Sequence, residues 1–160
     1  MDYPFSRKYH AMLRNYEKLK VISTNNGPGI DNATAGDLST SFFADCYHLK
    51  DWIKKDPKIG QAAKDDVEIY ITKSPVLRIA ADYTNSLKHA GLDNKPRSGS
   101  HLDGINTHMK IDLTPRGFET SAQVVIIFGS KRYNAFRLAT DCVHDWQNFF
   151  KKHSIAIDGP

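Results

Sequence analysis

The stretch 74–91, SPVLRIAADYTNSLKHAG, carries both a start signal and a stop signal for a helix, and no other stretch constrains the fold as strongly. Ser74 is a good N-cap, and Pro75 suits the first helical position because that position needs no amide donor. Gly91 can take the left-handed conformation that ends a helix. The spacing predicts one helix, whose apolar side chains share one side: Val76, Ile79, Ala80, Tyr83, Leu87 and Ala90.

The other side of this helix carries polar groups of different chemistry, which we call the polar row: Arg78, Asp82, Asn85, Lys88 and His89. A solvated face usually holds interchangeable Lys and Glu, so the row is the best candidate for a site. We expect His89, Asn85 and Asp82 as catalytic residues, with Arg78 and Lys88 binding phosphate oxygens. The alternative is structural, namely helix-end capping by His89 and an i,i+4 pair between Arg78 and Asp82.

Size and charge limit the classes of function. The 160 residues predict one domain spanning 1–160, and the formal charge of +4 with a pI near 9.0 permits an anionic partner such as RNA or a nucleotide without requiring one. Cys46 and Cys142 both fall on apolar helix faces, which favours a reduced, cytoplasmic setting. The amino terminus lacks a signal pattern and no window has the roughly 18 apolar residues that span a membrane, so we expect no membrane partner.

Apolar residues recur at intervals of three and four in four further segments, which predicts amphipathic helices at 5–22, 38–55, 59–71 and 135–152. Segment 23–37 is rich in Asn, Gly, Thr and Asp and is predicted to be a loop, either a lid or a plain connector. Segments 107–113 and 122–128 alternate as strands around the turn 114–117, and 130–134 is predicted to be a turn. The expected fold is mainly α, an antiparallel bundle of about five helices with one β-hairpin before the last helix, in the order ααααββα.

Asp45 and His48 lie at the edge of the apolar stripe of the second helix. A carboxylate there is expected to be partly buried and to need a partner, for which His48, Arg78 and a donor from another helix are the candidates. The two residues either form a satisfied contact between helices or bind substrate.

A metal site built from two acid-x-x-His pairs is not predicted. Asp45 and His48 form one such pair, but Asp141 and His144 lie opposite the apolar face of the last helix and should point to water. No G-x-S-x-G, P-loop or G-x-G-x-x-G motif occurs, so no cofactor is expected.

Two segments, FFADCYHLKDWIKKDP at 42–57 and LRIAADYTNSLKHAGL at 77–92, resemble a group of uncharacterised bacterial proteins with an Ala-Asp-x-x-Asn-x-x-Lys-His helix. CVHDWQNFF at 142–150 extends the likeness, and that group is in turn similar to HEPN-type helical bundles. The resemblance implies a homodimer and the activity of a metal-independent ribonuclease in toxin–antitoxin or phage-defence systems. The Arg and polar residue that precede His in HEPN nucleases are absent, since Asp82, Tyr83 and Thr84 occupy those positions.

The leading hypothesis is therefore a HEPN-like protein that binds RNA or a nucleotide through the polar row and cleaves RNA with His89 as acid or base. The alternative is a non-catalytic protein-interaction or regulatory module using the same helix face, in which the polar row and the hairpin form a protein interface. A third hypothesis is a small-molecule binder that uses the space between Asp45, His48 and the polar row.

Overall fold

A computed structural model describes residues 4–24, 32–88 and 95–159 of the chain. The described residues form five helices, α1 (Phe5–Thr24), α2 (Asn32–Lys55), α3 (Gln61–Lys73), α4 (Leu77–Lys88) and α5 (Ala135–Lys152), and three strands, β1 (Leu102–Thr114), β2 (Gly117–Phe128) and β3 (Lys131–Asn134). The predicted mainly helical class and the order ααααββα are confirmed. Within the described ranges, no helix combines the length and the apolar character needed to cross a membrane.

The strands form one antiparallel sheet in the order β1-β2-β3. β1 and β2 pair along their whole length, from Leu102 opposite Phe128 to Thr114 opposite Gly117, while the short β3 pairs only with the last four residues of β2. Alternate residues of β2 face the helices and are buried: Ala122, Val124, Ile126 and Phe128. The base of the hairpin is therefore part of the core.

α2 is the central helix of the fold, because it packs against the four other helices and against β1 and β2. Its side chains Phe42, Phe43 and Leu49 are fully buried. α5 covers the same core with Trp146, whose indole N–H donates to the Cys46 sulfur at 3.3 Å. Core residues from all five helices and from β2 belong to one continuous cluster.

The prediction that 23–37 is a loop is wrong at its two ends. Residues 32–37 form the first turns of α2, and Thr24 is still in α1; the NNGPG segment, for which a lid or a connector was predicted, lies outside the described residues. Ala35 is completely buried, and its carbonyl accepts a hydrogen bond from the Ser39 hydroxyl at 3.1 Å. Burial of Ala35 against the core stabilises helix where the Asn, Gly and Thr content favours a loop.

The predicted turn at 130–134 is also wrong, because only Gly129 and Ser130 turn and Lys131–Asn134 forms β3. Gly129 has a positive φ of 57°, which allows the sharp reversal between β2 and β3. The Asp103 carboxylate accepts a hydrogen bond from its amide and so fixes the reversal to the start of β1. The extra strand carries two cationic residues, Lys131 and Arg132, to the start of α5.

Candidate anion-binding site

Ser74 fixes the start of α4 against α5. Its hydroxyl oxygen accepts hydrogen bonds from the amides of Leu77 at 2.9 Å and Val76 at 3.3 Å, which is the predicted N-cap role. The same hydroxyl donates to the Asp145 carboxylate of α5 at 2.5 Å. The first turn of α4 is therefore tied to α5, whereas the predicted stop signal at Gly91 lies outside the described residues.

Asp82 of the polar row does not face solvent. Its side chain is 1% exposed, and its two oxygens accept hydrogen bonds from the amides of Arg97 at 2.9 Å and Ser98 at 2.6 Å. Asp82 therefore anchors the segment that leads into β1. The predicted pairing with Arg78 is replaced by these backbone contacts, because a buried carboxylate is stabilised by donors that reach both of its oxygens.

The middle of α4 is buried on its polar side as well as on its apolar side. All residues from Ile79 to Thr84 are buried, because α2, α3, α5, β1 and the segment before β1 surround the middle of the helix. Leu87, expected on the apolar side, is 43% exposed. The residues of the polar row therefore have different surroundings. Asp82 is a buried anchor, Arg78 lines a pocket, and Asn85 and Lys88 lie in the last turn of α4.

Arg78 lines a pocket of about 560 Å³ between the start of α4, β3 and the start of α5. The lining residues are Pro75, Val76, Arg78, Ile79, Ser98, Lys131, Arg132, Tyr133, Asn134, Arg137, Leu138 and Asp141. The Nε atom of Arg78 is shielded from solvent and has no hydrogen-bond partner among the described residues. A buried N–H without a partner costs about 1–3 kcal/mol, so a shift of the Arg78 side chain that brought this group to an acceptor in the pocket would be stabilising.

Four cationic side chains line this cationic pocket, namely Arg78, Lys131, Arg132 and Arg137, against the single carboxylate of Asp141. None of the four forms an ion pair with a described residue. Unpaired cations from three elements create a positive potential in a concave site.

The start of α5 adds to this potential. Asn134 is its N-cap, and its side-chain oxygen accepts a hydrogen bond from the Arg137 amide at 3.0 Å. The positive end of the helix dipole therefore lies at the pocket wall. Such an end favours negative charge, so it adds to the attraction that the surrounding cations exert on an anion.

Lys131, Arg132 and Arg137 are functional candidates that the sequence analysis did not select. Their signal was present, since three cations fall within seven residues on either side of an Asn-capped helix start. Arg78 lies more than fifty residues earlier, and only the packing of α4 on α5 brings it to the other three.

Arg97 supports the segment that Asp82 holds. Its guanidinium donates to Glu68 at 3.1 Å and to the Thr72 hydroxyl at 3.3 Å, while Lys50 and Lys54 contact the same Glu68 carboxylate at 2.7 and 2.8 Å. Burial alone would raise the pKa of Glu68, but these three cationic donors outweigh it and lower the pKa from 4.5 to about 2. The carboxylate therefore stays charged and joins α2, α3 and the Arg97 segment.

Asp45 and His48 lie in different surroundings from the cationic pocket. Asp45 accepts hydrogen bonds from Lys8 at 2.5 Å and Asn15 at 2.9 Å, so the predicted donor from another helix comes from α1. His48 contacts Asp51 at 3.2 Å and not Asp45. Neither residue lines the cationic pocket, so that pocket is not the small-molecule site predicted between them and the polar row.

The last turn of α4 holds the remaining polar-row residues. Asn85 is half-buried, Lys88 is exposed, and His89 lies outside the described residues. Asp141 and His144 are both exposed, as predicted. In the part of the chain that the structure describes, no group of three or more His, Cys, Asp or Glu side chains could hold a metal ion.

Comparisons of the chain with protein-family models, with curated proteins and with solved structures found no match in any of the three.

Proposed function

We propose that this protein binds phosphate groups of RNA or of a nucleotide in the cationic pocket. The observation that carries the proposal is the convergence of Arg78, Lys131, Arg132 and Arg137, none of which has a carboxylate partner among the described residues. Phosphate oxygens would accept hydrogen bonds from the guanidinium groups, and a shift of the Arg78 side chain on binding would let its Nε–H donate as well.

The pocket has a size and composition suited to such a ligand. Its volume of about 560 Å³ lies within the range of small-molecule sites. Val76, Ile79, Tyr133 and Leu138 supply apolar lining beside the cations. Apolar and aromatic surface next to a phosphate-binding group favours a ligand that carries a base or sugar as well as phosphate.

The two ligand classes differ in how much of α4 they reach. Lys88 lies ten residues after Arg78, which is about 15 Å along a helix axis. One phosphate cannot contact both side chains, whereas an RNA strand could reach both by passing over the elements that cover the middle of α4. An RNA bound in this way would reach Lys88, which precedes in the sequence His89, the residue predicted to act as acid or base.

The binding test compares pocket variants with a matched surface variant. Arg132→Ala and Arg137→Ala should each weaken binding of a short single-stranded RNA, measured by fluorescence anisotropy, while Arg7→Ala, which removes an exposed arginine of α1, should not. For the wild-type protein we expect log K to fall with log salt concentration with a slope of about −3, since each phosphate contact to a single strand contributes about −0.7. Equal affinities for all three variants would refute the proposal.

The cleavage test isolates His89. We expect His89→Ala to keep RNA affinity and to lose cleavage of a panel of RNAs in metal-free buffer. Cleavage at the wild-type rate would exclude His89 from the mechanism. Tight binding by the wild-type protein without cleavage would identify a non-catalytic RNA-binding or nucleotide-binding protein.

The alternative function, a protein-interaction module, is favoured by a different surface. The end of the β1-β2 hairpin exposes large apolar side chains that the helices do not cover. This surface belongs to the hairpin, which together with the polar row is the interface that the sequence predicts for such a module.

A further inference from the structure

The face of the hairpin that packs on the helices continues beyond them as an apolar strip. Ile105 and Thr107 of β1 lie on this face at the core and are half-buried. Met109, Ile111 and Leu113 follow on the same face with exposed fractions of 43%, 66% and 90%. Phe118 lies opposite Leu113 and is 73% exposed, so large apolar side chains continue along β1 to the end of the hairpin.

The outer edge of β1 is available for pairing. Among the described residues β1 pairs only with β2. At the closing pair, the Gly117 carbonyl accepts a hydrogen bond from the Thr114 hydroxyl at 3.3 Å, which shows that the backbone of Gly117 faces β1. Because opposite pairs alternate along an antiparallel ladder, the amides and carbonyls of Leu113, Ile111 and Met109 then face the free edge.

We propose that two copies of this chain pair through the β1 edges, antiparallel and centred on Ile111, so that the two sheets become one. Ile111 then lies opposite Ile111 of the second copy, and Met109 lies opposite Leu113 of the second copy. These are the residues whose backbone groups point outward, so this register gives the N–H and C=O groups of the free edge hydrogen-bond partners. It also continues the apolar strip across the dimer axis.

The charges of Lys110 and Asp112 favour a second copy of this chain as the partner, and they also favour this register. On the other face of the hairpin, Lys110 and Asp112 form an ion pair with each other at 3.0 Å within one strand. Centring on Ile111 adds the same pairing between the copies, because Lys110 then lies opposite Asp112 of the second copy, twice per dimer. A shift of two residues in either direction would instead bring Lys110 opposite Lys110 or Asp112 opposite Asp112, which is destabilising. A shift of one residue would exchange the apolar and the charged faces.

A charge-swap series tests the pairing in the full chain. Lys110 and Asp112 are half-exposed, with side-chain exposures of 58% and 50%, so their replacement should leave the helical core and the far-UV circular dichroism unchanged. Lys110→Glu and Asp112→Lys should each raise the dimer dissociation constant in sedimentation analysis about tenfold or more, and the double variant should restore it. Lys18→Glu, an equal charge change on α1, is the control and should dimerise as the wild type does.

A cysteine cross-link tests the register independently of dimer strength. In Ile111→Cys the Cα atoms of the two cysteines lie about 5.5 Å apart, within the range for a disulfide. Cys46 and Cys142 are fully buried and should not interfere. In Met109→Cys the Cα atoms of the two cysteines lie about 14 Å apart, which is too far for a disulfide. We expect mild oxidation to give a covalent dimer for Ile111→Cys and for a mixture of Met109→Cys with Leu113→Cys, but not for Met109→Cys alone. The proposal is overturned if Ile111→Cys stays monomeric on a non-reducing gel, if Met109→Cys cross-links as well, or if the charge-swap double variant dissociates like the singles.

Discussion

Replacing Asp82 distinguishes an anchor from a catalytic group. In the structure this buried carboxylate holds the amides of Arg97 and Ser98, and Ser98 lines the cationic pocket. Asp82→Asn keeps one acceptor oxygen but turns an NH₂ group toward one of the two amides. An anchor role therefore predicts a loss of stability, whereas a purely catalytic role predicts a loss of activity at unchanged stability.

The expected size of the effect follows from the two hydrogen bonds. A hydrogen bond to a charged group contributes about 1.5–3 kcal/mol, and an amide left without an acceptor adds to the loss. We expect Asp82→Asn to lower the free energy of unfolding by about 2–3 kcal/mol and Asp82→Ala by about 4 kcal/mol. For a chain of this size, the first change corresponds to a Tm lower by about 5–10 °C.

The assay is urea unfolding followed by tryptophan fluorescence, with Asp141→Asn as the control. Asp141 is an exposed carboxylate of the same pocket, so its loss should leave the urea midpoint unchanged and should strengthen RNA binding by removing a negative charge. A lower midpoint for Asp82→Asn at an unchanged m-value supports the anchor role. A wild-type midpoint for Asp82→Asn would refute it.

Three further predictions concern the contacts around the site. Because the folded-state pKa of Glu68 is lowered to about 2, its contribution to stability is present above pH 4.5 and is lost as the pH falls toward 2. After allowance for solvent screening at this partly exposed side chain, we expect urea titrations to show about 1 kcal/mol more acid destabilisation in the wild type than in Glu68→Gln. Ser74→Ala removes the α4 cap and the contact to Asp145 and should lower the unfolding free energy by about 1–2 kcal/mol, which urea unfolding would detect. Burial raises the pKa of the Cys142 thiol and shields Cys46, so neither should react with a thiol reagent until the protein unfolds; reaction at the rate of a free thiol in native buffer would contradict their burial.

Helix positions were predictable where the pattern was local and one-sided. The predicted bounds of α5 agree with the structure, and the residues expected on its inner face, among them Cys142 and Trp146, are buried. A helix with one side on the core and one in water needs only the spacing of its own apolar residues. The start of α2 lacked such a pattern, and its position depended on the burial of Ala35 by other elements.

The candidate site was predictable only in part. Arg78 was selected as a phosphate ligand and lies in the cationic pocket, but Asp82, selected from the same helix side, is held in the interior by the segment that follows α4. The sequence cannot show which partners a polar side chain of a surrounded helix will meet. Such partners come from segments that lie far away along the chain.

The sequence by itself determined the helical class, the order of the elements and the strongest amphipathic faces, because these depend on spacing within single segments. The tertiary structure decided that α2 and not α4 is the central helix, that Arg78 joins Lys131, Arg132 and Arg137, and that the end of the hairpin is left uncovered. Each of these results depends on how segments pack against one another, and packing depends on the shapes and volumes of side chains far apart in the chain.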